Sequence, residues 1–188
     1  MGAYITAAAT QEQYRAIIDT LRTGTQSTRP SPRTAAVLVT MANLGLRLGD
    51  TLCLSLSSFV NDGGRWHLDI VEQKTGKRRR FTVTTELHDF LVSYALETGI
   101  SKDAPLFPVT ARAIQKNLSS VCDALKYERI STHSFRKFYA TSIYNQCGYD
   151  IALVQHLLQH SNAATTQRYI GIEPERIENA LKAHSCII

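Results

Sequence analysis

The stretch 57-SSFVNDGGRWHLDIVEQKTGKRRRFTV-83 is where this 188-residue chain stops reading as helix. Asn61-Asp62-Gly63-Gly64 is turn chemistry, because glycine takes positive φ without steric cost. "RWHLDIV" alternates in polarity, "KTGKRRR" is a second, basic turn, and "FTV" alternates again. Period-two runs between turns predict a small antiparallel sheet of two or three strands. On both sides the pattern is helical. "TQEQYRAIIDTLRTG" has Thr10 as its cap, Tyr14, Ile17, Ile18 and Leu21 on one face, and Gly24 as its stop. "RTAAVLVTMANLG" reads as a buried helix ending at Gly45, and "LGDTLCLSLSSFV" as a short helix turning toward a strand. From Thr85 onward helices follow one another: "ELHDFLVSYALETG", "TARAIQKNLSSVCDALKY", "THSFRKFYATSIYNQCG" with Gly148 as its stop, "YDIALVQHLLQH" capped by Asp150, the short "SNAATTQRY", and "EPERIENALKAH" with Pro174 in its first turn. The fold class is mainly α with a small antiparallel β-sheet (α+β), the sheet inserted near the first third.

Composition narrows the function classes. Apolar residues make up 44%, ordinary for a globular chain. No apolar run approaches membrane-spanning length, and the start lacks the charged-then-apolar order of a signal peptide. The four cysteines, Cys53, Cys122, Cys147 and Cys186, are far apart, which argues against a zinc site or disulfide framework and fits a reducing cytosol. The net charge of +5 and pI of about 9.1 favour a polyanionic partner.

Several residues carry chemistry. Lys74, Lys77, Arg78, Arg79 and Arg80 put five positive charges into seven residues, either a solvated hairpin tip or a finger that contacts phosphate. The run is not a P-loop, since no Gly stands five residues before Gly76 and no Ser or Thr follows Lys77. His133 and Arg136 lie three apart at a helix start and share one face, where free N–H groups already favour anions. Phe135, Phe138 and Tyr139 point elsewhere, toward the core. Arg47 sits between apolar neighbours after Gly45; its structural alternative is a pair with Asp50. His156 and His160 have metal-pair spacing, but no third ligand or metalloprotease glutamate accompanies them. Tyr169 stands nine residues after His160, beside Arg168.

In order along the chain, Arg47, Lys74, His133-x-x-Arg136, His160 and Tyr169 resemble the catalytic set of the tyrosine recombinases, the phage integrase and Xer-like family. "NLGLRLGDTLCLSLSSF" is similar to the first arginine box, "KTGKRRRFTV" to the β-hairpin lysine, "STHSFRKFYAT" to the H-x-x-R box, and "VQHLLQHSNAATTQRYIG" to the second box. The resemblance covers roughly residues 10–183. Gln159 stands where the family commonly has Gly, and Asp50 where it has Glu.

The resemblance implies a site-specific DNA recombinase that cleaves and rejoins strands through a 3′-phosphotyrosine, without metal, ATP or other cofactor. A phenol with pKa about 10 is roughly 0.1% ionised at neutral pH, so it needs cationic help and a base. Tyr169 is the expected nucleophile. Arg47, Arg136 and His160 are the expected phosphate ligands, His133 the proton acceptor or a further ligand, and Lys74, on a mobile hairpin, the acid for the leaving 5′ oxygen. Lys77, Arg78, Arg79 and Arg80 are expected to support DNA binding. The implied partners are double-stranded DNA and a homo-oligomer, a tetramer, on that DNA. The expected location is the cytoplasm, on the nucleoid, with no membrane. Residues 1–9 are expected to be a leader or linker remnant, 10–172 the catalytic domain, and 173–188 a C-terminal helix or tail acting as an inter-protomer arm. The family's N-terminal clamping domain does not occur in this sequence, so an excised catalytic domain is expected. Two alternatives stay open: a type IB topoisomerase, and a catalytically silent DNA-binding regulator of the same fold.

Overall fold

Thr10 closes the first helix with a reciprocal capping box: its hydroxyl accepts the Gln13 N–H at 3.1 Å, and the Gln13 side chain accepts the Thr10 N–H at 3.0 Å. The computed structural model describes residues 6–160 and 162–170, without the side chains at 163, 168 and 169. The expected arm at 173–188 lies outside the described residues. Helix α1 spans Gln11–Thr23, α2 Pro32–Leu44 and α3 Leu48–Leu52. After a 3₁₀ turn at Leu56–Ser58 come β1 (Phe59–Asp62), β2 (Arg65–Val71) and β3 (Arg78–Val83). Then follow α4 (Thr85–Thr98), α5 (Ala111–Leu125), α6 (Thr132–Gln146), α7 (Ile151–Leu158) and α8 (Ala163–Ile170). Thr84, Thr110 and Asp150 cap α4, α5 and α7 through their side-chain oxygens. No helix among the described residues is long and apolar enough to cross a membrane.

The sheet has three antiparallel strands in the order β1-β2-β3. Gly63 and Gly64, with φ of 58° and 82°, make the first hairpin turn, so Asp62 pairs with Arg65. The second hairpin pairs Trp66 with Val83 and Val71 with Arg78. Leu68 and Val83 face inward and are buried with Phe59 against the helices.

The chain divides into two compact units, 1–139 and 140–188, with the boundary inside α6. In the first unit Ile17 and Leu21 of α1, Leu38 and Met41 of α2, Leu91 of α4 and Ile114 of α5 form one buried core. Asn117 of α5 donates to Ser31 and Thr34 at the start of α2 (3.1 and 2.9 Å). Tyr14 of α1 stacks on Phe138 at 4.9 Å between centroids and meets the buried Phe135 edge-on, which fixes the rotation of the first turns of α6. Residues 6–9 are held against this unit: the Ala7 N–H bonds to Arg129 O at 3.1 Å, and Ala9 is buried. In the second unit Val154 and Leu158 of α7 are buried, and α7 ends at Gln159 in the left-handed conformation, φ 52°.

Gly45 joins fold to site. It ends α2 at φ 59°, and its face lies against Tyr139, so a Cβ there would stand 2.3 Å from the ring. Gly45→Ala combines a left-handed penalty with overpacking. It is expected to destabilise the protein by about 2–4 kcal/mol and lower the melting temperature by roughly 5–15 °C. Calorimetry checks this, and an unchanged melting temperature would contradict the packing role given to Gly45.

Candidate active site

The carboxy-terminal end of α2 gathers buried arginines. Helix ends present unpaired carbonyls and the negative end of the dipole, both of which suit guanidinium groups. Arg136 is fully buried, and its Nη1 donates to Gly45 O. Arg79, 1% exposed, donates from Nη2 to Leu44 O at 2.9 Å and lies over the Phe81 ring. The expectation that Arg79 supports DNA binding is corrected here. On β3, positions 79, 81 and 83 face inward, while 78 and 80 face solvent. Arg78 pairs with Asp69 (2.5 Å) and Arg80 with Asp62 (3.0 Å), both at the surface.

Arg47 precedes α3, and its side chain is 26% exposed. Its close partner is Glu72, at 2.7 Å; Asp50, the partner weighed from sequence, lies at 3.9 Å. Glu72 is fully buried and uses both oxygens. Oε2 accepts from Arg47 Nη1 and from Thr75 Oγ1 (3.0 Å), and Oε1 accepts from Arg79 Nη1 (3.2 Å). Burial works to raise the Glu72 pKa, but the Arg47 and Thr75 hydrogen bonds and the two guanidinium charges outweigh it, so the group is held below its ordinary value.

Lys74 is exposed in the turn between β2 and β3, and both its neighbours are tied down. The Gln73 N–H donates to Asp50 Oδ1 at 2.8 Å, and its side chain reaches Cys53 Sγ. Thr75 Oγ1 donates to Glu72 and accepts the Lys77 N–H at 3.3 Å. The backbone of Glu72 closes the same turn with Lys77 O and Gly76 N–H. The turn that carries Lys74 is thus bonded to the side chains of Asp50, Cys53 and Glu72.

His133 starts α6. Its N–H donates to Ser131 Oγ, and Ser134 Oγ accepts the Ser131 N–H at 3.0 Å, which fixes the first turn. The ring keeps contact with solvent, yet its pKa is lowered to about 4. Desolvation is the largest cause, followed by the charges of Arg136, Lys137, Arg47 and Lys74. At neutral pH this imidazole is uncharged and able to accept a proton. Arg47, Lys74, His133 and Arg136 thus share one electrostatic neighbourhood in the first unit.

His160 and Tyr169 belong to the second unit. Asn162 opens α8, its Oδ1 accepting the Ala164 N–H at 2.8 Å. His160 Nδ1 lies 3.0 Å from the hydroxyl of the buried Thr166. When Thr166 donates this bond, the ring proton sits on Nε2, the tautomer a phosphate ligand needs. Tyr169 lies three residues further along α8, its side chain outside the described part. Among the described residues no group of three or more His, Cys, Asp and Glu side chains gathers as a metal ion would require.

Sequence reasoning missed Glu72, Thr75 and Thr166. A signal for the first existed: Trp66, Leu68 and Ile70 set an inward phase on β2, and Glu72 continues it. A carboxylate at an inward position demands cations.

Residues 8–176 match the family described as "Phage integrase family". The probable integrase/recombinase YoeC of Bacillus subtilis is 29% identical over 148 residues, covering 74% of this chain and 78% of that protein. The tyrosine recombinase XerC of Methylobacterium sp. is 32% identical over 160 residues, covering 80% of this chain and 49% of that one. The chain thus spans about half the length of that XerC relative. Among solved structures, XerH site-specific recombinase bound to palindromic difH substrate superposes with a TM-score of 0.73 at 20% identity, over 95% of this chain and 53% of that one. That likeness shows the fold: a mostly helical domain with a small antiparallel sheet, as in recombinase catalytic domains.

An NMR titration of the His133 ring is expected to show a midpoint near 4. The unfolded chain takes up this proton near 6.5, so between the two values the folded state binds fewer protons. Stability therefore falls as pH drops through that window. His133→Gln should flatten that part of the pH–stability curve, and a midpoint at or above 6.5 would contradict the cationic neighbourhood.

Proposed function

Since the chain belongs to the phage integrase family, we propose that it is the catalytic domain of a site-specific DNA recombinase that cuts and rejoins strands through a covalent 3′-phosphotyrosine. The observation that carries this reading is the clustering of Arg47, Lys74 and Arg136 around a neutral His133. A phosphodiester is an anion that repels a phenolate, so its attack needs converging cations and a base that is unprotonated at neutral pH.

In this reading Arg47 and Arg136 hold the non-bridging oxygens, with His160 Nε2 as a further donor. Tyr169 Oη attacks phosphorus and gives its proton to His133. The bond from phosphorus to the 5′ oxygen breaks, and Lys74 protonates that oxygen. The phosphotyrosine keeps the bond energy, so a 5′ hydroxyl of another strand can reverse the steps and rejoin. Lys77, Arg78 and Arg80 support the duplex at the hairpin. The partners are double-stranded DNA and further copies of the chain, four on the DNA, in the cytoplasm at the nucleoid. Residues 10–172 supply the chemistry, and 173–188 form the arm to a neighbouring protomer.

Tyr169→Phe is expected to bind DNA as the parent does but form no covalent adduct with a pool of nicked duplexes of randomised centre, read on a denaturing gel. An adduct with the Phe variant would remove Tyr169 from the nucleophile role. Truncation after residue 172 is expected to leave the melting temperature within a few degrees while abolishing cooperative assembly on two-site DNA. A large thermal loss with assembly intact would assign the segment to its own domain.

A further inference from the structure

We infer that Glu72 is a positioning residue of this site, tying the phosphate ligand Arg47 and the turn that carries Lys74 to one carboxylate oxygen. The inference rests on the recombinase reading and deepens it. Glu72 Oε2 receives Arg47 Nη1 at 2.7 Å and Thr75 Oγ1 at 3.0 Å. The other oxygen is occupied by the buried Arg79, which is itself fixed to Leu44 O at the end of α2. The carboxylate therefore cannot turn toward either partner without releasing another. Glu72 hydrogen-bonds to both Arg47 and the turn, whereas Asp50 bonds to the turn at Gln73 and lies 3.9 Å from Arg47, beyond hydrogen-bond distance.

The connection matters because two groups must act on opposite parts of one phosphate. Arg47 holds a non-bridging oxygen, and Lys74 must reach the bridging 5′ oxygen. A misplacement of about 1 Å can cost roughly 10²-fold in rate. Lys74 is exposed, and its side chain has four rotatable carbons, so its aim depends on where the backbone is held. Gln73 is held by Asp50, Thr75 by Glu72, and the Glu72 backbone closes the turn on Gly76 and Lys77. Thr75→Val removes the hydroxyl, and with it both the Glu72 link and the bond accepted from the Lys77 N–H, on an exposed residue, and leaves both arginines paired with Glu72. Glu72→Gln weakens every link at once.

The test uses a duplex cleaved by the parent chain, made with either oxygen or sulfur at the bridging 5′ position. A thiolate leaves without a proton, so the sulfur substrate bypasses Lys74. Thr75→Val is expected to lose about 10-fold or more on the oxygen substrate and no more than about 2-fold on the sulfur substrate. Glu72→Gln is expected to lose on both, because Arg47 is also released. Equal losses of Thr75→Val on the two substrates, or none on either, would overturn the inference. Lys74→Ala on the same pair separates the two levels of argument. Rescue of Lys74→Ala by sulfur without selective loss in Thr75→Val defeats the Glu72 role alone. Failure of that rescue moves the acid role to another residue, Lys77 first, and defeats this inference alone; no adduct from the parent defeats the recombinase assignment as well.

Discussion

The buried carboxylate of Glu72 is the interaction on which the site depends. Arg79 and Arg136 sit in the interior of the first unit, and Arg47 stands at its edge. Burying a guanidinium is unfavourable unless its donors are met and its charge is opposed. Two kinds of group meet part of these needs here. The last carbonyls of α2 take one donor each from Arg79 and Arg136, and Glu72 opposes the charges of Arg79 and Arg47. Removing one partner from such an arrangement typically costs about 3–5 kcal/mol, because it strands a buried charge. The junction of α2 with the β2–β3 hairpin is thus held by the same contacts that assemble the site.

One carboxylate serves two arginines whose surroundings differ. Arg79 is enclosed and lies over Phe81. Arg47 keeps 26% of its side chain in solvent, so it can be oriented by Glu72 and still face an incoming anion. With Lys74 and Arg136 nearby, the neighbourhood holds more cationic than anionic groups. Desolvation of His133 lowers its pKa most, and that surplus of charge lowers it further. Its uncharged state is thus reinforced by the same cations that would hold phosphate.

Local chemistry made much of the fold legible. Thr10 and Asp150 cap helices because their oxygens meet orphan N–H groups, and Gly24 and Gly45 end helices because they take positive φ. The NDGG turn and the strand alternation gave the sheet. Phe135 and Tyr139 were legible as core from their positions beside Arg136. What escaped depended on long-range partners. Glu72 lies 25 residues from Arg47, and no local pattern pairs them. The run of charges at 77–80 was read by composition, whereas strand phase decides it: position 79 turns inward and 78 and 80 turn out. Gln159, a departure from the family's usual glycine, takes the left-handed conformation that a glycine would accept more easily.

The same strand phase changes how this surface meets a polyanion. The sequence offers five cations in seven residues at the hairpin. In the structure Arg79 is opposed by Glu72, Arg78 by Asp69 and Arg80 by Asp62. The field at the tip is therefore set chiefly by Lys74 and Lys77, and long-range attraction is weaker than the composition implies. The three arginine pairs are not equivalent, however. Exposed pairs contribute little to stability and are screened by salt, so Arg80 can exchange its carboxylate for a phosphate at small cost, whereas Arg78 would give up two hydrogen bonds to Asp69. Arg79 cannot, because its pair is buried and its other donor is fixed to the end of α2. The hairpin thus combines two lysines and two surface arginines with one arginine that holds the strand in place, and under the proposed function its share of the salt dependence comes from the first four.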